Sequence, residues 1–94
     1  MAKKYPPLSV REVQSILRAW GFRHVRTRSS HEQWLGKVGE LDRLVTVDTK
    51  YAQFDEKIVG LMIGQSGLSR EEFYCATKTT ARKINKDAIK PVVR

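Results

Sequence analysis

His31 follows two serines in the stretch Arg26-Thr27-Arg28-Ser29-Ser30-His31, and Gln33 stands two residues beyond it. An imidazole among guanidinium groups has a specific chemical use. A neutral histidine takes or gives a proton, and arginines grip a phosphate bidentately and stabilise charge developing on it. Nearby cations disfavour the protonated ring, so a histidine placed this way is ready to act as a base. These are the parts that RNA cleavage by internal attack requires. The base removes the 2′-hydroxyl proton, the oxygen attacks the adjacent phosphorus, and the cations stabilise the developing charge. That chemistry needs neither a metal nor another cofactor. On this reading His31 is the catalytic residue, Arg26 and Arg28 contact phosphate, and Ser29 and Ser30 are positioning groups. Gln33 contacts RNA, and Lys37 and Lys50 are peripheral phosphate contacts. A plainer reading exists for each: a turn histidine, and cations on a solvated face.

The elements around these residues decide whether they meet. Residues 22–28 and 31–37 read as two strands, with Ser29-Ser30 as a two-residue hairpin turn. Residues 36–42 contain two glycines and opposite charges, which predicts a longer loop. Residues 43–49, "RLVTVDT", form the clearest strand. Counting outward from Ser29-Ser30 pairs Arg28 with His31, Arg26 with Gln33 and Val25 with Trp34. Strict alternation then puts Val25, Trp34, Val45 and Val47 on one face, making Trp34 a core residue. His24, Arg26, Arg28, His31, Gln33, Thr46 and Asp48 share the other face. Phe22 lands among the arginines and breaks the pattern, so it is expected to tuck under Trp20. His24 reads as a half-exposed strand residue.

Two helix starts are well marked. Ser9 with Glu12, and Ser69 with Glu72, are capping boxes, and Leu8/Val13 and Leu68/Phe73 are placed as hydrophobic staples. The first helix covers residues 9–20, with Val10, Val13, Ile16, Leu17 and Trp20 on one face and Gly21 closing it. Ile58, Leu61, Met62 and Gln65 have helical spacing up to Gly67, and Gly60 and Gly64 suggest a close helix contact. The order α-β-β-β-α-α predicts an α+β domain, a three-stranded antiparallel sheet with helices on one face and the other face open.

The 94 residues carry a net charge of +8. That excess points to an anionic partner, nucleic acid or an acidic protein. It is unevenly spread. Residues 77–94 hold Lys78, Arg82, Lys83, Lys86, Lys90 and Arg94 against Asp87 alone, leaving +5 there and +3 in the other 76 residues. The chain therefore divides into a domain, 1–76, and a basic C-terminal extension, 77–94, which reads as a weakly amphipathic last helix or a frayed tail. The longest apolar run, residues 58–63, is too short to span a membrane. "MAKKYPPLS" lacks the apolar stretch of a secretory signal, and the single cysteine, Cys75, excludes an intrachain disulfide. A cytoplasmic protein is expected. Cys75 has no evident base and reads as a buried structural thiol, and the histidines and cysteine lack metal-site spacing.

Taken together, "PLSVREVQSILRAWGFRHVRTRSSHEQW", "VTVD" and "IVGLMIGQSGLSREEFY" resemble the HicA toxins of bacterial toxin–antitoxin systems over roughly residues 6–74. The most specific pieces are the strand–turn–histidine, usually Gly-Ser-His in that family, and the "GLSREEF" that follows a helix. The resemblance implies a double-stranded-RNA-binding-domain-like fold and an mRNA-cleaving endoribonuclease with His31 as its catalytic histidine. It implies an acidic HicB-like antitoxin that covers the site, and a toxin that is monomeric when free and part of a larger assembly with its antitoxin. Three positions depart from the pattern. Ser29 replaces the usual glycine, "DTKYAQF" follows the third strand where proline and a further histidine are common, and Glu56-Lys57 replaces Gly-Thr. Two other functions account for the same charges: an RNA-binding module without catalysis, and an interaction protein whose partner is acidic.

Overall fold

The computed structural model describes residues 5–89. The arm lysines Lys3 and Lys4, and Lys90 and Arg94 of the C-terminal stretch, lie outside the described residues. The core of the fold is α1 (Val10–Ala19), three strands β2 (Arg23–Arg28), β3 (His31–Val38) and β4 (Leu41–Asp48), and α2 (Glu56–Ser66). The strands form one antiparallel sheet in the order β2-β3-β4. Helices cover one face and the other is open. This is the α+β arrangement expected from the sequence.

The capping chemistry forms as the sequence dictates. The Ser9 hydroxyl accepts from the Glu12 N–H, and the Glu12 carboxylate accepts from the Ser9 N–H at 2.9 Å. The same box opens α3 (Arg70–Tyr74) at Ser69 and Glu72. Val13, Ile16 and Leu17 of α1 are fully buried beneath Val45 and Val47 of β4. Each such side chain contributes roughly 1.5–3 kcal/mol of transfer free energy, which fixes the helix to the sheet. Trp20 donates from its indole to the Glu72 carbonyl at 3.2 Å, joining the end of α1 to α3.

One correction reshapes β2. The register with β3 shifts between His24 and Arg26, leaving Val25 as the extra residue of a bulge. Val25 does not face the helices; it is 46% exposed. His24 moves off the arginine face and pairs with Trp34, its ring 5.5 Å from the indole and its Nε2 2.6 Å from the Thr27 hydroxyl. The bulge also resolves Phe22. It brings that side chain into the core against Gly36, where a Cβ would lie 2.5 Å from the phenyl ring.

Further differences follow from local packing. The loop expected over 36–42 is a two-residue turn, Gly39-Glu40, so β3 and β4 each run further than the pattern suggests. A two-stranded ribbon, β1 (Leu8–Ser9) with β5 (Gln53–Phe54), closes the domain beside α1 and α2. In α2 the buried residues are Val59, Met62, Ile63 and Ser66, while Leu61 is 66% exposed. Gly64 meets nothing within 4 Å and Gly60 only an arginine tip, so neither marks a helix contact. The boundary drawn at residue 77 does not coincide with a break in packing. Thr77 caps α4 (Lys78–Arg82), which buries Thr80, Ala81 and the following Ile84 in the same core. Lys83 reaches Glu12 at 2.9 Å and the Pro7 carbonyl at 3.1 Å. Among the described residues, no helix is long and apolar enough to cross a membrane.

Candidate functional site

The two hairpins align residues in rows across the open face. Arg28, His31 and Asp48 are cross-strand neighbours in one row, and Arg26, Gln33 and Thr46 in the next. The bulge lies above Arg26, so the expected pairs Arg28–His31 and Arg26–Gln33 survive it. A shallow depression of about 480 Å³ is lined by Arg26, Arg28, Ser29, His31, Gln33 and Thr46. Gln33 accepts from the Thr46 hydroxyl at 3.1 Å through its carbonyl oxygen, and its amide donors have no partner among the described residues. Trp34, on the opposite face, is buried as expected.

Ser29 has φ 58°, the left-handed side of backbone space that glycine enters without steric cost. Positive φ at the first central residue alone is the signature of a type II′ turn. Ser30 has a different task. Its hydroxyl donates to Asp48 Oδ1 at 2.8 Å, and its carbonyl accepts from the Thr49 N–H at 2.8 Å. The end of β4 is thereby tied to the β2–β3 turn. With its proton committed to Asp48, Ser30 can offer a substrate only acceptor capacity.

Asp48 brings a negative charge to a ring that the sequence surrounds with cations. Its Oδ2 lies 3.3 Å from His31 Nε2. Its Oδ1 accepts from Ser30 and from the Lys50 N–H at 3.2 Å. The Asp48 side chain is 16% exposed and that of His31 52%. The Ser30 hydrogen bond is the main cause holding the Asp48 carboxyl below its ordinary range. The Lys50 N–H and the charges of His31 and Lys50 add to it, and partial burial works against it. Asp48 is therefore anionic at neutral pH. The sequence places Asp48 on this face, but the longer loop expected before β4 hides its register. Counting from Gly39-Glu40 would have paired it with His31.

Lys37 does not join the depression. It lies six residues along β3, about 20 Å away at 3.3 Å per residue, and sits 3.9 Å from Asp42. Lys50 adjoins the site through its backbone N–H, with the residue exposed. Cys75 is buried, and burial pushes its thiol pKa up, as suits a structural residue. Among the described residues, no cluster of three or more His, Cys, Asp or Glu could hold a metal ion. Comparison with protein-family models, with curated proteins and with solved structures finds no match.

Proposed function

We propose that this chain is a metal-independent endoribonuclease that cleaves RNA by internal attack, with His31 as general base or acid. Within that class it is read as a HicA-like toxin, acting on mRNA in the cytoplasm and neutralised by an acidic HicB-like antitoxin. One observation carries the reading: His31 lines a single open depression with Arg26, Arg28 and Gln33, which supply two cations and two amide donors around one imidazole. In this reading Arg26 and Arg28 hold the phosphate flanking the scissile bond and stabilise its charge. Gln33 contacts base or sugar, Ser29 sits at the rim, and Lys50 is an outer phosphate contact. The +8 charge suits both an RNA substrate and an acidic antitoxin.

Paired induction of wild type and His31→Ala in a bacterial host tests this, with growth and the integrity of one abundant mRNA followed over time. Arrest and mRNA loss with the wild type alone are expected, and purified protein should cleave RNA in the presence of a chelator. Equal effects from two folded proteins would remove the catalytic assignment and leave binding or sequestration.

A further inference from the structure

One carboxylate reaches the candidate base, and its two oxygens are divided. Among the described residues, Oδ1 accepts from the Ser30 hydroxyl and the Lys50 N–H, and the one polar neighbour of Oδ2 is the His31 ring. His31 and Asp48 are direct cross-strand partners on paired strands, so their backbones hold them opposite each other. At 3.3 Å, His31 Nε2 lies at the outer edge of hydrogen-bonding distance from Oδ2. Such contacts are often long in a site without substrate and tighten when it binds.

We propose that Asp48 is the positioning residue for His31. By accepting a hydrogen bond from Nε2–H it holds the neutral ring in the Nε2–H tautomer and leaves the Nδ1 lone pair to take the substrate proton, while Ser30 anchors Asp48. The second nitrogen of a histidine is set by what the first one bonds, and an anion at Nε2 also stabilises the imidazolium formed after proton transfer. The proton moves from the substrate hydroxyl to Nδ1, and Asp48 stays a carboxylate throughout. The kinetic part of this inference rests on the ribonuclease reading; the tautomer does not.

The competing view is that Asp48 is only a staple between the end of β4 and the β2–β3 turn. The two views rank the variants in opposite orders. In Asp48→Asn the amide oxygen keeps the Ser30 and Lys50 donors, so the staple survives. The amide nitrogen then replaces Oδ2 and donates to Nε2, forcing the ring proton onto Nδ1. Asp48→Ala loses the staple but leaves the ring free to choose its tautomer. Positioning predicts that Asn is the worse variant, with kcat down by about 100-fold, and that Ala falls by about tenfold. Wrong-tautomer arrest reaches about 10⁴-fold in an enclosed triad, and this half-exposed ring should fall short of that.

The first measurement is ¹⁵N NMR of the His31 ring in wild type and both variants, at about pH 9, well above the ordinary histidine value of about 6.5. Wild type should carry its proton on Nε2 and Asp48→Asn on Nδ1. Backbone spectra and thermal melting confirm that each variant is folded. An Asn variant with wild-type tautomer and near-wild-type kcat, and an Ala variant worse in both, would overturn the proposal in favour of the staple. If even the wild type leaves RNA intact, the ribonuclease reading fails, and the tautomer of Asp48→Asn still decides the role of Asp48.

Discussion

Strand β3 ends at two turns of equal length and unequal chemistry. Ser29-Ser30 precedes it and Gly39-Glu40 follows it. The first central residue of each has nearly the same backbone angle, φ 58° at Ser29 and 64° at Gly39. Glycine holds that angle without steric cost, whereas for an L-residue it costs about 1–2 kcal/mol. The turn that bears the cost is the one beside His31 and Asp48. The relaxed turn adjoins only the exposed pair Lys37 and Asp42. Strain of this kind persists where surrounding contacts over-determine the backbone, and it collects at functional sites. Here those contacts are the Ser30 and Thr49 hydrogen bonds to and from β4. Ser29 takes the positive φ that glycine adopts without cost and places its side chain at the rim of the depression.

The largest contrast between the two ends should be catalytic. His31→Ala should lower cleavage of a fluorogenic RNA by about 10²–10⁴-fold, the usual contribution of a general acid or base. Lys37→Ala at the far end should change it by less than about twofold, since exposed ion pairs contribute little. Equal losses would mean that the chemistry is not confined to the Ser29 end.

Next in size is the middle of the strand. Gly36→Ala drives a methyl group into the Phe22 ring, and overpacking costs about 1–3 kcal/mol. Denaturant unfolding should show that loss, while turnover per folded molecule stays near wild type.

The turns themselves come third. Ser29→Gly should stabilise the protein and Gly39→Ser should destabilise it, each by about 1 kcal/mol. For a domain of this size that is a Tm shift of about 4–8 °C. If both substitutions shift Tm in the same direction, the two turns do not share a backbone.

The smallest effect concerns acid. The folded-state pKa of Asp48 is depressed, so its stabilising contribution is full above the unfolded-chain value of 3.8 and fades as pH falls through the lower folded value. Ser30→Ala removes the main cause of that depression. Its stability deficit against wild type should therefore be larger at about pH 7 than at about pH 3, measured by urea unfolding. A deficit that stays constant with pH would show that Ser30 acts through the turn alone.

Much of this was legible in the sequence. Both capping boxes, the three main strands and the Arg28–His31 and Arg26–Gln33 pairs follow from local residue types and a count outward from Ser29-Ser30. The errors on β2 have a common origin. Strict two-residue alternation cannot represent an inserted residue, so it misplaced Val25, His24 and Phe22 together. Charge hid the packing of α4. Lys78, Arg82, Lys83 and Lys86 left helix and tail both open for this segment, because Thr80, Ala81 and Ile84, which bury the other side, are too few to show a pattern. The β1–β5 ribbon has two residues per strand, below what periodicity can detect. The pairing of Asp48 with His31 depended on the Gly39-Glu40 turn, which an apparent loop concealed.

The bulge at Val25 bears on association as well as on the site. Among the described residues, β2 lies at the border of the sheet, bonded on one side only, to β3. A flat, apolar border strand invites another chain to add its own strand, the first step in domain swapping and fibril growth. β4, at the opposite border, is partly covered, because Gln65 of α2 takes the Thr46 N–H at 3.0 Å. β2 has an extra residue that breaks its hydrogen-bond spacing, and Arg23, Arg26 and Arg28 along its length. A neighbour's strand would meet a kinked backbone and repelling charge. The insertion that seats Phe22 in the core thus also makes the open edge of β2 a poor template for an added strand.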